Sequence, residues 1–279
     1  RLLLEHGAAI DAKINQGHTA LHFASANRKA EAVRLLLEHG AAIDATTSTG
    51  FAPLHLAIGG GSVETVRLLL DHGAAIDATV EDGKTALHLA TEYESPLMVQ
   101  LLLELGATAD AVTDTGHTAL HIASKIGAEL VVEALLRHGA AINAALPSGH
   151  TPLHVASEHD ELQVAYRLLD HGAAINVATE EGNTVLHQAA AQNQCPLAIE
   201  LLDGGAEIDA CNAVGWTPLM VACARDSTEV ARELLIRGAD MDHRSHRNSS
   251  PYPAGVSAMG IARLGIGEAM FLLLGRAGL

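Results

Sequence analysis

The sequence predicts an all-α repeat solenoid, and three observations carry the prediction. The hexapeptide Gly17-His18-Thr19-Ala20-Leu21-His22 returns at residues 50–55, 83–88, 116–121, 149–154 and 182–187, with a worn copy, Gly215-Trp216-Thr217-Pro218-Leu219-Met220, so that every step is 33 residues. A fixed period of that size marks a stacked array of small supersecondary units. Each period holds two apolar runs at helical spacing, both too short to be stable alone in water. Aromatic residues make up only 3% of the 279 positions. The core must therefore be built in thin layers from Leu, Ile, Val and Ala.

The elements follow in order within the unit 14–46. Gly17 punctuates a polar tip and suits a turn with positive φ. Thr19 stands where a helix N-cap belongs, its hydroxyl able to accept a backbone N–H. The next position is Ala20 here and Pro53, Pro152 or Pro218 in three other copies; proline is favoured at a first helical position because its missing N–H has no intrahelical partner to lose. Leu21 and Ala24 share one face of this first helix. After a polar break at Asn27-Arg28, a second helix over about 30–38 carries Val33, Leu36 and Leu37 as an apolar stripe. Gly40 ends it and fits the left-handed C-terminal position. An extended arm, Ala-Ala-Ile-Asp-Ala, leads to the next tip. Stacking of neighbours supplies the burial that one unit lacks, and the recurrent small residue at 24, 57, 90, 123, 156, 189 and 222 lets layers approach closely.

On this frame the repeats fall at 14–46, 47–79, 80–112, 113–145, 146–178, 179–211 and 212–244. Residues 1–13 repeat the second half of a unit, so the chain is expected to be a segment of a longer polypeptide and a monomeric array within it. Gly59-Gly60-Gly61 is expected to be a soft spot. The period breaks after Asp242: 245–256 reads as a polar loop insertion and 257–279 as a degenerate or incomplete terminal repeat, with its second helix around 270–274.

Composition narrows the function classes. The net charge is −16, which opposes nonspecific attraction to nucleic acid or to an anionic membrane. No apolar run approaches the ~20 residues of a spanning helix, and no signal peptide is visible. Cys195, Cys211 and Cys223 form no Cys-x-x-Cys and are odd in number, as expected of reduced thiols in an intracellular, cytoplasmic chain.

Seventeen histidines raise the question of a metal, and the period answers it. His22, His55, His88, His121, His154 and His187 share one repeat position, three residues after the cap, where ring and hydroxyl can meet. His6, His39, His72, His138 and His171 share another, at a helix C-terminus, where imidazole can satisfy free carbonyls. Both sets read as structural. His243-x-x-His246 lies outside the period but lacks the further ligands a zinc site needs. No Gly-x-Ser-x-Gly and no phosphate-loop motif occurs. Carboxylate pairs such as Glu81-Asp82 fall at solvated tips. The expectation is a chain without catalytic, metal or cofactor site.

The period, the motif Gly-x-Thr-(Ala/Pro)-Leu-His-x-Ala and the motif Leu-Leu-Leu-(Glu/Asp)-His-Gly-Ala together resemble the ankyrin repeat family over about residues 1–244, and weakly thereafter. The resemblance implies stacked antiparallel helix pairs with β-hairpin-like fingers at right angles. It further implies protein–protein recognition through finger tips and the concave helix face, with a structural spacer or a regulatory segment of a larger enzyme, channel or signalling protein as the alternative.

Partner contacts are then expected where the motif varies and where the first helix ends. Those positions include Phe51; Lys84, Glu92 and Tyr93; His117, Lys125 and Ile126; His150 and His159; Glu180, Glu181 and Asn183; and Trp216 and Arg225. Over the whole variable face four cations stand against seven carboxylates, so a basic or neutral protein segment is the favoured partner. Tyr93 and Trp216 are aromatic where most copies are polar. Each is expected either to anchor the partner, as interface hot spots do, or to pack on an adjacent finger.

Overall fold

A computed structural model describes residues 6–246, 253–264 and 268–277. Residues 1–5 of the expected half-repeat and 247–252 of the expected loop lie outside that set. The chain divides into two compact units, Arg1–Ala144 and Ala145–Leu279.

In the first unit four helix pairs follow one another: α1 (Ala20–Ala26) with α2 (Ala30–Glu38), α3 (Pro53–Gly60) with α4 (Val63–Asp71), α5 (Ala86–Glu92) with α6 (Pro96–Glu104), and α7 (Ala119–Ile126) with α8 (Glu129–Arg137). Each first helix packs on its own second helix, and α1, α3, α5 and α7 stack in turn, while α2 packs on α4 and α6 on α8. The periodic residues form the layers. Leu21, Leu54, Leu87 and Leu120 are buried in the first helices, with Val33, Val66, Val99 and Val132 in the second. Each such side chain removed from water contributes roughly 1.5–3 kcal/mol. The small residues do what their spacing implies: Ala57, Ala90 and Ala123 are wholly buried where helices meet.

Helix ends follow the sequence with one addition. Gly40 has φ 81°, and the N–H of Ala41 closes back on the Leu36 carbonyl at 3.0 Å, a hydrogen-bonded stop. The C-terminal histidines take up free carbonyls: Nδ1 of His39, His72 and His138 donates to the carbonyls of Leu35, Leu68 and Ala134 at 2.8, 2.8 and 2.9 Å. The expected soft spot in α3 has a different cause. A Cβ on Gly60 would stand 2.7 Å from the Ala26 carbonyl oxygen. The glycine is there because the ends of α1 and α3 touch backbone to side, not to loosen the chain.

Between helix pairs the chain forms fingers. The N–H groups of Ile14, Thr47, Val80 and Thr113 bond the carbonyls four residues on, at 2.9–3.0 Å. Among the described residues the only strand-type pairing is one antiparallel bridge, Thr79 with Thr85, so the fingers are tight loops rather than true hairpins. A carboxylate ladder ties successive arms. The Oδ1 atoms of Asp11, Asp44, Asp77 and Asp110 accept the N–H of the residue 31 places later, at 2.8–3.1 Å.

In the second unit the pairs are α9 (Pro152–Glu158) with α10 (Leu162–Asp170), α11 (Val185–Ala191) with α12 (Cys195–Asp203), and α13 (Pro218–Arg225) with α14 (Thr228–Ile236). A last pair, α15 (Ala258–Leu264) and α16 (Glu268–Ala277), packs on α13 and α14 respectively; the anticipated apolar run at 270–274 lies inside α16. A buried polar clamp joins the turns of two repeats. Gln194 donates to the Ser157 carbonyl and to Asp160 at 2.8 and 2.9 Å and accepts from the Ser157 hydroxyl at 2.8 Å. Cys195, Cys211 and Cys223 are unpaired. Among the described residues no helix is long and apolar enough to cross a membrane.

Candidate partner-binding surface

The buried histidines hold the fingers against the first helices, and so decide where the variable tips stand. The Thr19 N–H donates to His22 Nδ1 at 3.2 Å, and the Thr19 hydroxyl lies 2.9 Å from the same nitrogen. Because Nδ1 accepts a backbone N–H, the ring proton sits on Nε2, which donates to the Phe51 carbonyl at 3.0 Å. The arrangement recurs with Thr85, His88 and the His117 carbonyl (3.1 Å) and with Thr184, His187 and the Trp216 carbonyl (3.0 Å). His55 reaches the Ala78 carbonyl instead, at 2.9 Å. One ring therefore orders its own cap and the next finger, a reach of 29 residues that the local motif did not reveal.

The threonines stand at the N-caps as expected, with imidazole as an added partner. Thr118 and Thr217 accept a backbone N–H, each at 3.4 Å, and at Thr19, Thr85, Thr118, Thr151 and Thr184 the hydroxyl's short contact is with imidazole at 2.9 Å. The hydroxyl proton goes to the strongest free acceptor, and a bare imidazole nitrogen is one. Burial pushes the pKa of His22, His55, His88 and His187 below the ordinary histidine value, and that of His154 down to about 4. At neutral pH these rings are uncharged and serve as hydrogen-bonding struts.

In the first unit the variable residues lie along the fingers and the ends of the first helices. Lys84 on a finger meets Glu92 at the end of α5, with Nζ and Oε1 2.7 Å apart, so two expected contacts neutralise each other. Tyr93 is 57% exposed, and its hydroxyl lies over Gly59 at the end of α3; the ring leans on its neighbour and still presents a face to solvent. Phe51 is half-buried and meets the His55 ring edge-on at 6.1 Å. His117 is half-buried, its Nδ1 2.9 Å from the Thr115 hydroxyl, and burial, with Lys125 nearby, lowers its pKa. Lys125 is exposed and Ile126 half-buried at the end of α7.

In the second unit the structure brings His150, Trp216 and Arg225 together around a cleft of about 720 Å³ between the fingers and α9, α11 and α13. Glu180, Glu181 and Asn183 line its finger side. Trp216 is only 8% exposed; it packs into the array as a wall of the cleft, so of its two expected roles the packing one is what the fold displays. His159 is exposed at the end of α9, its ring 3.1 Å from the Val155 carbonyl, and is not among the lining residues. Sequence reasoning missed Gln188, which also lines the cleft. Its repeat position is Phe23, Leu56, Leu89, Ile122, Val155 and Val221 elsewhere; a lone polar residue in an apolar column was the available signal.

The His243/His246 pair folds back on a finger. The two rings stand edge to face at 5.9 Å, and His243 Nε2 lies 3.2 Å from the Gly215 carbonyl and 3.5 Å from the Cys211 sulfur. Among the described residues no three His, Cys, Asp or Glu side chains are grouped to hold a metal ion.

Comparison with known proteins follows the same geometry. A family profile described as "Ankyrin repeats (3 copies)" matches residues 42–114, 106–179 and 166–245, and one described as "Ankyrin repeats (many copies)" matches residues 3–52. No curated protein sequence matches significantly. Among solved structures, the ankyrin repeat domain of Bcl-3, titled a unique member of the IkappaB protein family, is similar at 35% identity with a TM-score of 0.73, over 80% of this chain and 100% of that one. With stacked helix pairs, ordered fingers and these matches along most of its length, the chain belongs to the ankyrin repeat family.

Proposed function

We propose that this repeat domain is a recognition scaffold, binding another protein through its finger tips and the ends of its first helices. The observation that carries the reading is the cleft of the second unit, where six variable residues, His150, Glu180, Glu181, Asn183, Trp216 and Arg225, line one recess. Buried neutral struts hold the fingers, so the tips are presented without a large ordering cost on binding. The imbalance of carboxylates over cations on this face favours a basic or neutral segment. The unpaired cysteines suit an intracellular setting.

Position-resolved cross-linking tests this. A photo-reactive residue is placed at Tyr93 or Arg225 on the face, and at Glu31 or Arg137 on second helices. The proposal expects adducts with another polypeptide from the face positions. Adducts arising equally or only at Glu31 and Arg137 would overturn it.

A further inference from the structure

The second-unit cleft holds a buried polar atom that the fold itself leaves unused. Gln188 occupies a column that is aliphatic or aromatic in every other repeat, yet its Oε1 is buried without a hydrogen bond. A buried unpaired acceptor costs roughly 1–3 kcal/mol, and the valine of the neighbouring repeats would avoid that cost. His154, 1% exposed beside it, faces the backbone of Asn183 on the next finger, as His187 faces that of Trp216, so the unused group is the Gln188 acceptor. The cleft thus offers an acceptor, the complement of the N–H of a carboxamide or of a peptide group.

Its charges are sorted by side. Glu180 and Glu181 stand on the finger wall, and Arg225 projects from the end of α13. Burial lowers the pKa of His154 and His187, so neither of these two rings offsets the carboxylates. Trp216 adds an aromatic wall, on which a guanidinium is favourably received. The volume, about 720 Å³, falls within the ~300–1,000 Å³ of clefts that enclose a ligand.

We propose that this cleft seats an extended segment of a partner polypeptide, with an Arg or Lys side chain directed to Glu180 and Glu181 and an amide N–H donated to Gln188 Oε1. The inference rests on the partner-binding reading above and specifies the chemistry of the partner. Arg225 sets the polarity: an acidic side chain or chain carbonyl of the same segment lies toward α13.

The test is a selection of phage-displayed random peptides on the 279-residue chain, followed by titration of a synthesised enriched peptide. Trp216 is the one tryptophan in the chain and lines the cleft, so its emission reports occupancy directly. The enriched peptides are expected to carry a basic residue and to shift Trp216 emission. Glu180→Lys with Glu181→Lys should weaken Kd about tenfold or more, and Gln188→Val about tenfold, while Glu31→Ala, on a second helix away from the face, leaves it unchanged. A thermal melt should show Gln188→Val at least as stable as the parent, which separates lost recognition from lost folding. Peptides that keep their affinity in the Gln188 and Glu180/Glu181 variants, or that leave Trp216 silent, overturn the inference. If those peptides lose affinity in Tyr93→Ala instead, the general reading stands and this one falls; if no peptide is enriched at all, both fall.

Discussion

Acidification to pH 5 is expected to weaken the unit formed by residues 145–279, and His154 gives the size of the effect. Its pKa is lowered from 6.5 to about 4, first by burial and then by His150. The folded state therefore binds fewer protons than the unfolded chain between those values. Stability is fully present above about pH 6.5, falls as pH drops toward 4, and levels off below. At pH 5 the unfolded imidazole is almost wholly protonated and the folded one almost wholly neutral, a difference of about 2 kcal/mol; the whole gap corresponds to about 3 kcal/mol. His187 acts in the same direction in the same unit. Urea unfolding followed by Trp216 fluorescence at pH 7.5 and 5 measures the change. The fall in net negative charge on acidification relieves self-repulsion and works the other way, so the decisive quantity is the difference from His154→Met. Methionine is the residue the seventh repeat already accommodates, fully buried, as Met220. The variant should lose about 2 kcal/mol of the pH-dependent change while Thr151 recovers its backbone N–H as Thr217 does. An unchanged pH slope in His154→Met would refute the reasoning.

Other perturbations have equally definite outcomes. Gly60→Ala replaces a poor helix former, a gain of up to about 1 kcal/mol, yet drives a Cβ to 2.7 Å from the Ala26 carbonyl; a net loss of about 1–3 kcal/mol is expected, read as a lower Tm. Asp77→Ala removes bonds to the Thr108 N–H and hydroxyl at 3.1 and 2.6 Å and should cost about 1 kcal/mol in urea unfolding. Leu97 and Leu130 are each 72% exposed at a position that carries Glu64 and Gln163 in flanking repeats, so Leu97→Glu with Leu130→Gln should move stability by no more than about 0.5 kcal/mol per site. Burial pushes the Cys223 thiol up to about 12, so iodoacetamide on the native chain should alkylate exposed Cys211 while sparing Cys223, as peptide mass mapping would show.

What was legible in the sequence was what repeats. A 33-residue period with one Leu, one small residue and one Val or Ala in register dictates layers, because two helices of nine residues or fewer find burial only in their neighbours. The left-handed glycines and the C-terminal histidines follow from local backbone needs, which a short window of sequence expresses fully. The sequence by itself therefore determined the family, the helix pairs and the structural meaning of the periodic histidines. Contacts between non-adjacent residues were decided by the tertiary structure. His22 Nε2 reaches a finger 29 residues away, and Gly60 is required by the Ala26 carbonyl rather than by a turn. The variable residues could be located by their departure from the pattern, but their fates were set by packing. Lys84 is neutralised by Glu92, Tyr93 stays open, and Trp216 is drawn in as a wall beside His150 and Arg225. Motif position places a residue on a finger; only the stacked neighbours decide whether its side chain meets solvent, a counter-charge or a cleft.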